Sequence, residues 1–313
     1  MTGPERRSYQ LAYGAFAVLA VIWGCSFILI KLGVNSMPAT VVVLLRVGSG
    51  TLTLLAVFAV LRRNPFGASF RAHIPGYLFM ALTSSVIPFI AITWGEQYVA
   101  TGVTSILNAT TPLWTAIFAW WVTPNERPSR LNYLGVATGF GGTGILVAPQ
   151  LLGPLHAGAL GTIAVLVGSA SYACAALGQR RLLKGVDPME SSLWQLLLAT
   201  LMMILIAAPA LPATHPTLLG LVAVLSLGVI GSAVAYVLYY FILDTLGATR
   251  GSSVTFVIPI VAVFLGTVLF AEPLTPNAIG GMAVILFGIF LTSLRHRRQE
   301  DGAGAAGRAE DAA

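Results

Sequence analysis

Long apolar stretches dominate this sequence and limit what it can fold into. Of its 313 residues, 57% are hydrophobic and 9% are charged, whereas a soluble domain is about 25% charged. A helix needs roughly 20 mostly apolar residues to cross a bilayer. The runs here are continuous rather than alternating, which argues against the strands of a membrane barrel. We therefore predict an all-α polytopic membrane protein.

The predicted spans follow one another along almost the whole chain. They are Leu11–Gly33, Ala39–Leu61, Ile74–Thr93, Gly102–Val122, Leu131–Val147, Ala159–Leu177, Ser191–Ala208, Leu218–Leu238, Ser253–Phe270 and Asn277–Leu294. The first span follows Arg6 and Arg7, as the apolar part of a signal peptide would. No small-residue cleavage site comes after it, so we expect it to be retained.

The positions of Lys and Arg predict an orientation, because such residues accumulate in cytoplasmic loops. If the spans alternate in direction, the basic residues before the first span and after every even-numbered span lie on one side. The opposite loops contain no Lys or Arg unless Lys31 reaches out of its helix end. Both termini are therefore predicted to be cytoplasmic.

Parts of the sequence occur twice. Matching positions lie 146 to 149 residues apart: Glu126 with Glu272, Gly135 with Gly281, Gly142 with Gly288, Ser105 with Ser252, Pro112 with Pro259, Trp23 with Tyr172, and Lys31 with Arg180. Five spans per copy is an odd number, so the second copy must enter the membrane from the other face. The charges agree, since loop Leu61–Arg71 is basic and its equivalent, Pro209–Pro216, is not. We predict ten transmembrane helices in two inverted five-helix repeats, a pattern typical of transporters.

The repeats set the predicted domain boundaries. Residues 1–10 form a cytoplasmic N-terminal segment. Residues 11–150 form the first repeat, with spans one to five, and residues 157–294 form the second, with spans six to ten. Residues 295–313 have no apolar face and are predicted to be a disordered cytoplasmic tail.

Short motifs in the two halves allow comparison with a known family. The first span reads Trp-Gly-Cys-Ser-Phe from Trp23, with Lys31 further along the same helix. Each half then contains Pro112 or Pro259, a glutamate at the next helix start and a glycine-spaced last helix. This ordered set resembles the EamA family of the drug/metabolite transporter superfamily. The resemblance implies a ten-helix carrier of the bacterial inner membrane, with a central cavity and alternating access. It does not fix the substrate, since members export amino acids and other metabolites, and sister families move nucleotide sugars, sugar phosphates or small cations.

Charged residues inside the spans are candidates for function, because a charge in hydrocarbon costs at least ~2.5–3.5 kcal/mol. Arg46 lies inside the second span, where it is expected to contact a substrate carboxylate or the carbonyls of a neighbouring helix. Lys31 is expected to be an interfacial anchor. Glu96, Asp244 and Glu272 lie at helix ends, so no acidic residue is predicted in mid-span. This favours uniport or substrate-driven exchange, with proton coupling through Glu96 or Asp244 left open.

Other predicted substrate contacts come from the repeat. Trp23 and Tyr172 hold equivalent positions and are expected to face each other across a pseudo-two-fold axis. Asn108 and Thr255 each precede a proline, which removes a helix hydrogen bond and frees a carbonyl. These four residues are predicted to line the cavity.

The resemblance also implies that the third and eighth spans line the cavity. On that basis Trp94, Tyr236 and Tyr240 are predicted substrate contacts, with an interfacial aromatic belt as the alternative. Pro112 and Pro259 are predicted hinges, because they bend helices that must rock during alternating access. Glu126 and Glu272 are predicted at helix starts, where the helix dipole favours a carboxylate.

The remaining features narrow the expected partners. Cys25 and Cys174 lie in apolar stretches, which excludes a disulfide framework. The four histidines lie in loops without metal-ligand spacing, so we expect no metal and no cofactor. The expected partners are a small-molecule substrate and the lipid bilayer, and no nucleic acid. The glycine-rich fifth and tenth spans are expected to pack within a monomer, with a homodimer as the alternative.

The leading hypothesis is an alternating-access exporter of amino acids or similar small polar metabolites. A nucleotide-sugar or sugar-phosphate antiporter is the alternative, but it would need more cationic contacts than Arg46 and Lys31 supply. Two alternatives belong to other classes: a membrane-embedded enzyme, and a channel or purely structural helix bundle. An enzyme would need clustered catalytic side chains at one membrane face, and no such cluster is apparent in the sequence.

Overall fold

The computed structural model describes residues 3–64, 68–122, 130–151, 157–246 and 254–292, and the regular structure in these ranges is helical. Up to residue 151 the α-helices are α1 (Gly3–Val34), α2 (Ala39–Val60), α3 (Ala68–Met80), α4 (Ile87–Gly95), α5 (Thr101–Asn108), α6 (Thr111–Val122) and α7 (Arg130–Leu151). From residue 157 they are α8 (Ala157–Leu182), α9 (Pro188–Ala207), α10 (Leu218–Gly228), α11 (Ala235–Leu246), α12 (Val254–Phe270) and α13 (Pro276–Thr292).

Seven helical stretches are long and apolar enough to cross a membrane, judged by length and composition. They are Ser8–Val34, Ala39–Val60, Phe70–Gly95, Arg130–Ala148, Gly158–Leu182, Pro188–Ala213 and Leu218–Tyr239. The apolar helices α12 and α13 are shorter. Val60, Leu205 and Leu218 are each more than three-quarters exposed, as expected for side chains that face lipid. The prediction of a helical membrane protein is confirmed.

Helix α1 begins before the predicted start of the first span. The predicted N-terminal segment, residues 1–10, is helical from Gly3 and continues into the first span as part of the 32-residue helix α1. The predicted tail, residues 295–313, lies outside the described residues. So does Glu126.

The fourth predicted span, Gly102–Val122, is not one helix but two. Helix α5 ends at Asn108 and α6 begins at Thr111. Pro112 has no N–H group to offer the Asn108 carbonyl, which instead accepts a hydrogen bond from the Thr111 hydroxyl at 2.8 Å. The equivalent Pro259 lies inside the continuous helix α12.

Two membrane-length helices contain a π-helical turn at matching positions. The first π segment, Ala81–Val86, joins α3 to α4, and the second, Val229–Val234, joins α10 to α11. The two segments have equal length and begin 148 residues apart, within the range of offsets seen in the sequence repeat. Single π turns inside α-helices are rare and occur often at functional sites.

The long helices pack in a pattern that repeats between the two parts of the chain. Helix α1 packs against α10, α11 and α12, and α8 packs against α3, α4, α5 and α6. Helices α2 and α9 pack against each other, and their Thr51 and Thr200 hydroxyls are 2.9 Å apart. Those two threonines are 149 residues apart in sequence, so equivalent residues meet where α2 crosses α9.

Helices α7 and α13 approach closely through their glycines. A Cβ atom at Gly135 would lie 2.7 Å from the Gly288 carbonyl oxygen, and one at Gly142 would lie 3.0 Å from that of Gly281. Small residues allow such contact between membrane helices, where close packing contributes to association. The predicted packing of these helices within the chain is confirmed. These contact faces are therefore occupied within one chain.

Candidate functional site

Arg46 is buried in the N-terminal half of α2, without a carboxylate partner among the described residues. Its side chain is 9% exposed, and its guanidinium carbon lies 3.7 Å from the centroid of the Phe89 ring on α4. Its Nε donates a long hydrogen bond of 3.5 Å to the Ser232 hydroxyl in the second π segment. Among the described residues it forms no ion pair within 4.0 Å. Stacking on Phe89 offsets part of the cost of burying the charge, by about 2 kcal/mol for a desolvated pair.

Two phenols, from α8 and α11, interact with this guanidinium, and an amide from α9 is bonded to one of them. Tyr172 on α8 contacts the edge of Phe89, with ring centroids 6.4 Å apart, and its phenol interacts electrostatically with Arg46. The Tyr236 hydroxyl on α11 also interacts with Arg46 and accepts a hydrogen bond of 3.2 Å from the Gln195 amide on α9. We call Arg46, Phe89, Tyr172, Gln195, Ser232 and Tyr236 the central cluster.

The central cluster combines one unneutralised cation with hydroxyl, phenol and amide groups. Its members come from α2, α4, α8, α9, the second π segment and α11, so it lies where the two parts of the chain meet. A buried guanidinium offers a planar set of donors that fits a carboxylate. The arrangement can therefore bind an anionic group together with neutral polar groups.

The cluster contains three of the predicted site residues and three that were not predicted as contacts. Arg46, Tyr172 and Tyr236 are brought together, although their sequence positions span 190 residues. Gln195 lies 149 residues after Arg46, within the range of offsets of the sequence repeat. Ser232 lies 148 residues after Ser84, so the repeat could have drawn attention to it. Phe89 is one of 15 phenylalanines and carries no sequence signal.

Trp23 occupies a different place from the one expected. Its indole Nε1 donates to the Gly231 carbonyl oxygen at 3.3 Å, and its ring lies against Tyr239 with centroids 5.3 Å apart. Among the described aromatic contacts, Trp23 does not meet Tyr172. The prediction that these two rings face each other is therefore not supported by a direct contact.

Ser171 makes the contact in the first π segment that Trp23 makes in the second. Its hydroxyl donates to the Thr83 carbonyl oxygen in the first π segment at 2.8 Å. Thr83 and Gly231 are the third residues of their π segments, and both pairs of equivalents, Trp23 with Ser171 and Thr83 with Gly231, are 148 apart. In each π segment, the carbonyl of the third residue therefore accepts a hydrogen bond from a side chain. The donor lies on α8 for the first segment and on α1 for the second.

Asn108 stands at the break between α5 and α6. Its side-chain Oδ1 atom is buried and has no hydrogen-bond partner among the residues that the structure describes, so this oxygen could accept from a ligand or water. Thr255, its predicted counterpart, lies half-buried in the first turn of α12. The two remain predicted site residues.

Of the two remaining predicted contacts, one lies away from the central cluster. Trp94 packs against Tyr98 near the end of α4, with ring centroids 4.9 Å apart, and Tyr98 is 44% exposed. This position is typical of an interfacial belt. The side chain of Tyr240 lies outside the described residues.

A second polar site lies where α1 and α4 end and α5 begins. The Lys31 ammonium donates to the Glu96 main-chain carbonyl at 2.8 Å. The Glu272 carboxylate accepts from the Thr101 and Gly102 N–H groups, at 2.7 and 3.0 Å. We call the part of the molecule formed by these five residues the Glu96 end.

The role of Glu272 corrects a prediction. The carboxylate was expected at the start of its own helix, but α13 begins only at Pro276, and Glu272 instead caps α5. Ala271 has a left-handed backbone (φ 52°), and the Glu272 N–H donates to the Gly266 carbonyl at 3.3 Å. This turn sends the carboxylate back across the end of α12 to α5. As predicted, a helix dipole stabilises the Glu272 carboxylate. However, the helix is α5, which is distant in sequence, and not α13.

A cleft of about 560 Å³ opens between α3, α6 and α8, away from both polar sites. Apolar side chains line it, together with Cys174 and Arg181. Within the described ranges no cluster of His, Cys, Asp or Glu could hold a metal ion. The central cluster is therefore the better candidate for binding a small polar solute.

Known proteins with the same pattern are transporters. The sequence pattern of the EamA-like transporter family matches this chain twice, over residues 10–148 and 159–294. The "Uncharacterized inner membrane transporter YedA" of Escherichia coli (strain K12) is 30% identical over 287 residues, which are 90% of each chain. A "Probable amino-acid metabolite efflux pump" of Salmonella typhimurium (strain LT2) is 24% identical over 288 residues, which cover 88% of this chain and 92% of that protein.

The fold also occurs in a solved structure. A crystal structure that is 17% identical in sequence superposes with a TM-score of 0.65 and covers 92% of this chain and 99% of its own. At that identity the likeness concerns the fold alone. The two matches to the family pattern span nearly all of the apolar sequence, and on that ground the chain belongs to the EamA-like transporter family.

Proposed function

We propose that this protein exports amino acids or similar small polar metabolites across the inner membrane by alternating access. The observation that carries the proposal is Arg46, a buried cation without an acidic partner among the described residues, surrounded by phenol, hydroxyl and amide groups. An amino acid has a carboxylate for the guanidinium and further polar groups for the other members. The efflux pump of Salmonella typhimurium, which matches most of this chain, is named for that substrate class.

Two inverted five-helix repeats, residues 11–150 and 157–294, form the architecture in this proposal. Support comes from the paired π segments, the Thr51–Thr200 contact and the reciprocal glycine contacts of α7 and α13. A two-fold relation between the repeats gives contacts of this kind, in which equivalent residues meet on or about the axis. Pro112 and Pro259 are the proposed hinges, and the monomer is the proposed unit.

The orientation follows from the basic loops. With both termini in the cytoplasm, the end of α1 that carries Lys31 faces the periplasm, and so does the rest of the Glu96 end. In this proposal the hydrogen bonds at the Glu96 end correspond to a carrier that is shut towards the periplasm. YedA, which is named an inner membrane transporter, supports the choice of membrane.

Counterflow in liposomes tests the proposal directly. Purified protein preloaded with an unlabelled amino acid should accumulate the same labelled amino acid transiently, and the flux should saturate. A panel should cover amino acids, amines, sugars and nucleotides. Lack of counterflow for every amino acid, with well-folded protein, would remove this substrate class.

Arg46→Gln tests the site within that assay. Hydrogen bonds to charged groups contribute about 1.5–3 kcal/mol, so KM for a carboxylate substrate should rise about 10- to 100-fold. Arg63→Gln is the matched control, because Arg63 lies outside the cluster in an exposed ion pair with Asp187 at 3.1 Å. An unchanged KM in Arg46→Gln would show that the arginine has only a packing role.

A nucleotide-sugar or sugar-phosphate antiporter is the weaker alternative. A phosphate group generally needs several cationic contacts, and the described part of the central cluster supplies Arg46 alone. Lys31 is engaged at the Glu96 end.

A further inference from the structure

Glu96 is a fully buried carboxylate without a described donor. The residue is 0% exposed, and within the described ranges neither Oε1 nor Oε2 has a hydrogen bond of ordinary geometry. The Lys31 ammonium bonds its main-chain carbonyl instead, and no ion pair within 4.0 Å joins Lys31 to the carboxylate. Nearly all buried polar groups in proteins are hydrogen-bonded, so an orphaned carboxylate calls for an explanation.

The charged groups that face Glu96 would stabilise a negative charge on its carboxyl group only in part. Lys31 on α1 and Arg46 on α2 attract a negative charge, while Glu272 in the turn before α13 repels it. On α5 the Thr101 hydroxyl is close by, but it lacks a hydrogen bond of ordinary geometry. Helix α8 approaches the end of α4 with the uncharged residues Gly161 and Val165.

An ionised carboxylate in this position is unfavourable. Glu96 follows the last residue of the third membrane-length helix, and burial raises the pKa of its carboxyl group well above the ordinary value. Lys31, Thr101 and Arg46 oppose this rise, and Glu272 adds to it. Removing a carboxylate from water without donors is costly, so burial favours the neutral acid.

We propose that Glu96 is a proton-binding site whose occupancy is linked to closure of the Glu96 end. The hydrogen bonds at the Glu96 end are taken to represent the closed state, in which the site holds one proton as the neutral carboxylic acid. When the Glu96 end opens, water reaches the carboxylate and the proton passes to that water. Opening is a step of alternating access, so the proposal rests on the proposed function in that one respect.

The direction of the pH effect follows from linkage. In the closed state the pKa is raised, whereas in the hydrated open state it returns towards about 4.3. Between those two values the closed state binds one more proton, so raising the pH favours opening. One proton changes the closed-to-open ratio by at most about tenfold per pH unit. Below the lower pKa both states are protonated, and the pH dependence disappears.

A distance measurement across the Glu96 end tests this. Spin labels at Tyr98→Cys and Leu274→Cys, both exposed positions, would flank the contact between Glu272 and α5. Cys25 and Cys174 are replaced by alanine in the same chain. In nanodiscs without substrate, the long-distance population should grow as the pH rises from 5 to 9. In Glu96→Gln, which imitates the neutral acid, the short distance should dominate at every pH.

Two further variants make the result decisive. Glu96→Asp keeps a titrating carboxyl group and should retain the pH response. Glu190→Gln is the matched control, because Glu190 accepts a hydrogen bond from Tyr77 near the start of α9, and it should behave like the parent. An unchanged pH response in Glu96→Gln, or none in the parent protein, would overturn the proposal.

The outcome is separable from that of the proposed function. The label distances are measured without substrate, so they titrate or fail to titrate whichever solute is carried. Failure of amino-acid counterflow with an intact pH response would remove the substrate class and leave the proton site. Intact counterflow without a pH response would do the reverse.

Discussion

Side-chain donors from neighbouring helices satisfy one carbonyl in each π segment, and we expect these hydrogen bonds to matter for both stability and transport. Trp23→Phe removes the bond to Gly231 but keeps a ring against Tyr239. A net loss of about 1 kcal/mol is expected for one such bond, with a lower melting temperature in detergent and slower counterflow.

Trp121→Phe provides the control for this change, because Trp121 is 73% exposed and should tolerate it. Ser171→Ala should reproduce the effect of Trp23→Phe at the first π segment, where the Thr83 carbonyl loses its donor. If neither variant differs from Trp121→Phe, these hydrogen bonds contribute nothing measurable.

Some polar residues of the site could be predicted from the sequence, but the residues that they contact in the structure could not. A buried arginine in an apolar span is conspicuous, and the repeat or the family resemblance pointed to Tyr172 and Tyr236. Phe89 was missed because a phenylalanine in an apolar helix looks the same whether or not it stacks on a cation. Glu272 was assigned to the nearest helix in sequence, since nothing local reveals that the chain turns back at Ala271.

At the scale of helices, the contact between α7 and α13 leads to a stability prediction. A Cβ atom at Gly288 would lie 2.5 Å from the Gly139 nitrogen and 2.6 Å from the Gly135 oxygen. Both are backbone atoms, so Gly288→Ala must push the helices apart. We expect it to lower the melting temperature and the yield of monodisperse protein.

Gly280 is the matched control in the same helix, because a Cβ atom there meets nothing within 4 Å. Gly280→Ala should be neutral or stabilising by up to about 1 kcal/mol, since alanine favours helix over glycine. Equal melting temperatures for the two variants would show that α7 and α13 do not depend on this close approach.

The elements themselves were predictable only in part. Hydrophobic length gave most of the spans, and the glycine spacing gave the contact face of α7 and α13. The interruption between α5 and α6 was not predicted, because the apolar run around Pro112 is continuous and Pro259 leaves α12 unbroken. The π turns carry no composition signal of their own, since their small residues also suit an α-helix.

Through its side chain, Glu272 joins the turn after α12 to the start of α5 by hydrogen bonds. The first N–H groups of a helix have no acceptor within that helix. In α5, two of them donate to the Glu272 carboxylate, at 2.7 and 3.0 Å. In the proposed transport cycle these bonds break when the Glu96 end opens. The sequence repeat does not predict these hydrogen bonds, because it relates equivalent positions and does not specify contacts that differ between the two halves.

Glu272→Ala should therefore release the Glu96 end. Loss of hydrogen bonds to a charged group, about 1.5–3 kcal/mol, predicts a 10- to 100-fold larger open population, measured with the labels at Tyr98→Cys and Leu274→Cys. The shift should persist at low pH, where the parent protein is closed, and is thus opposite in sign to that of Glu96→Gln. Glu190→Ala should leave the distances unchanged. A closed Glu272→Ala variant would mean that packing between α5 and α12, rather than this carboxylate, keeps the two parts together.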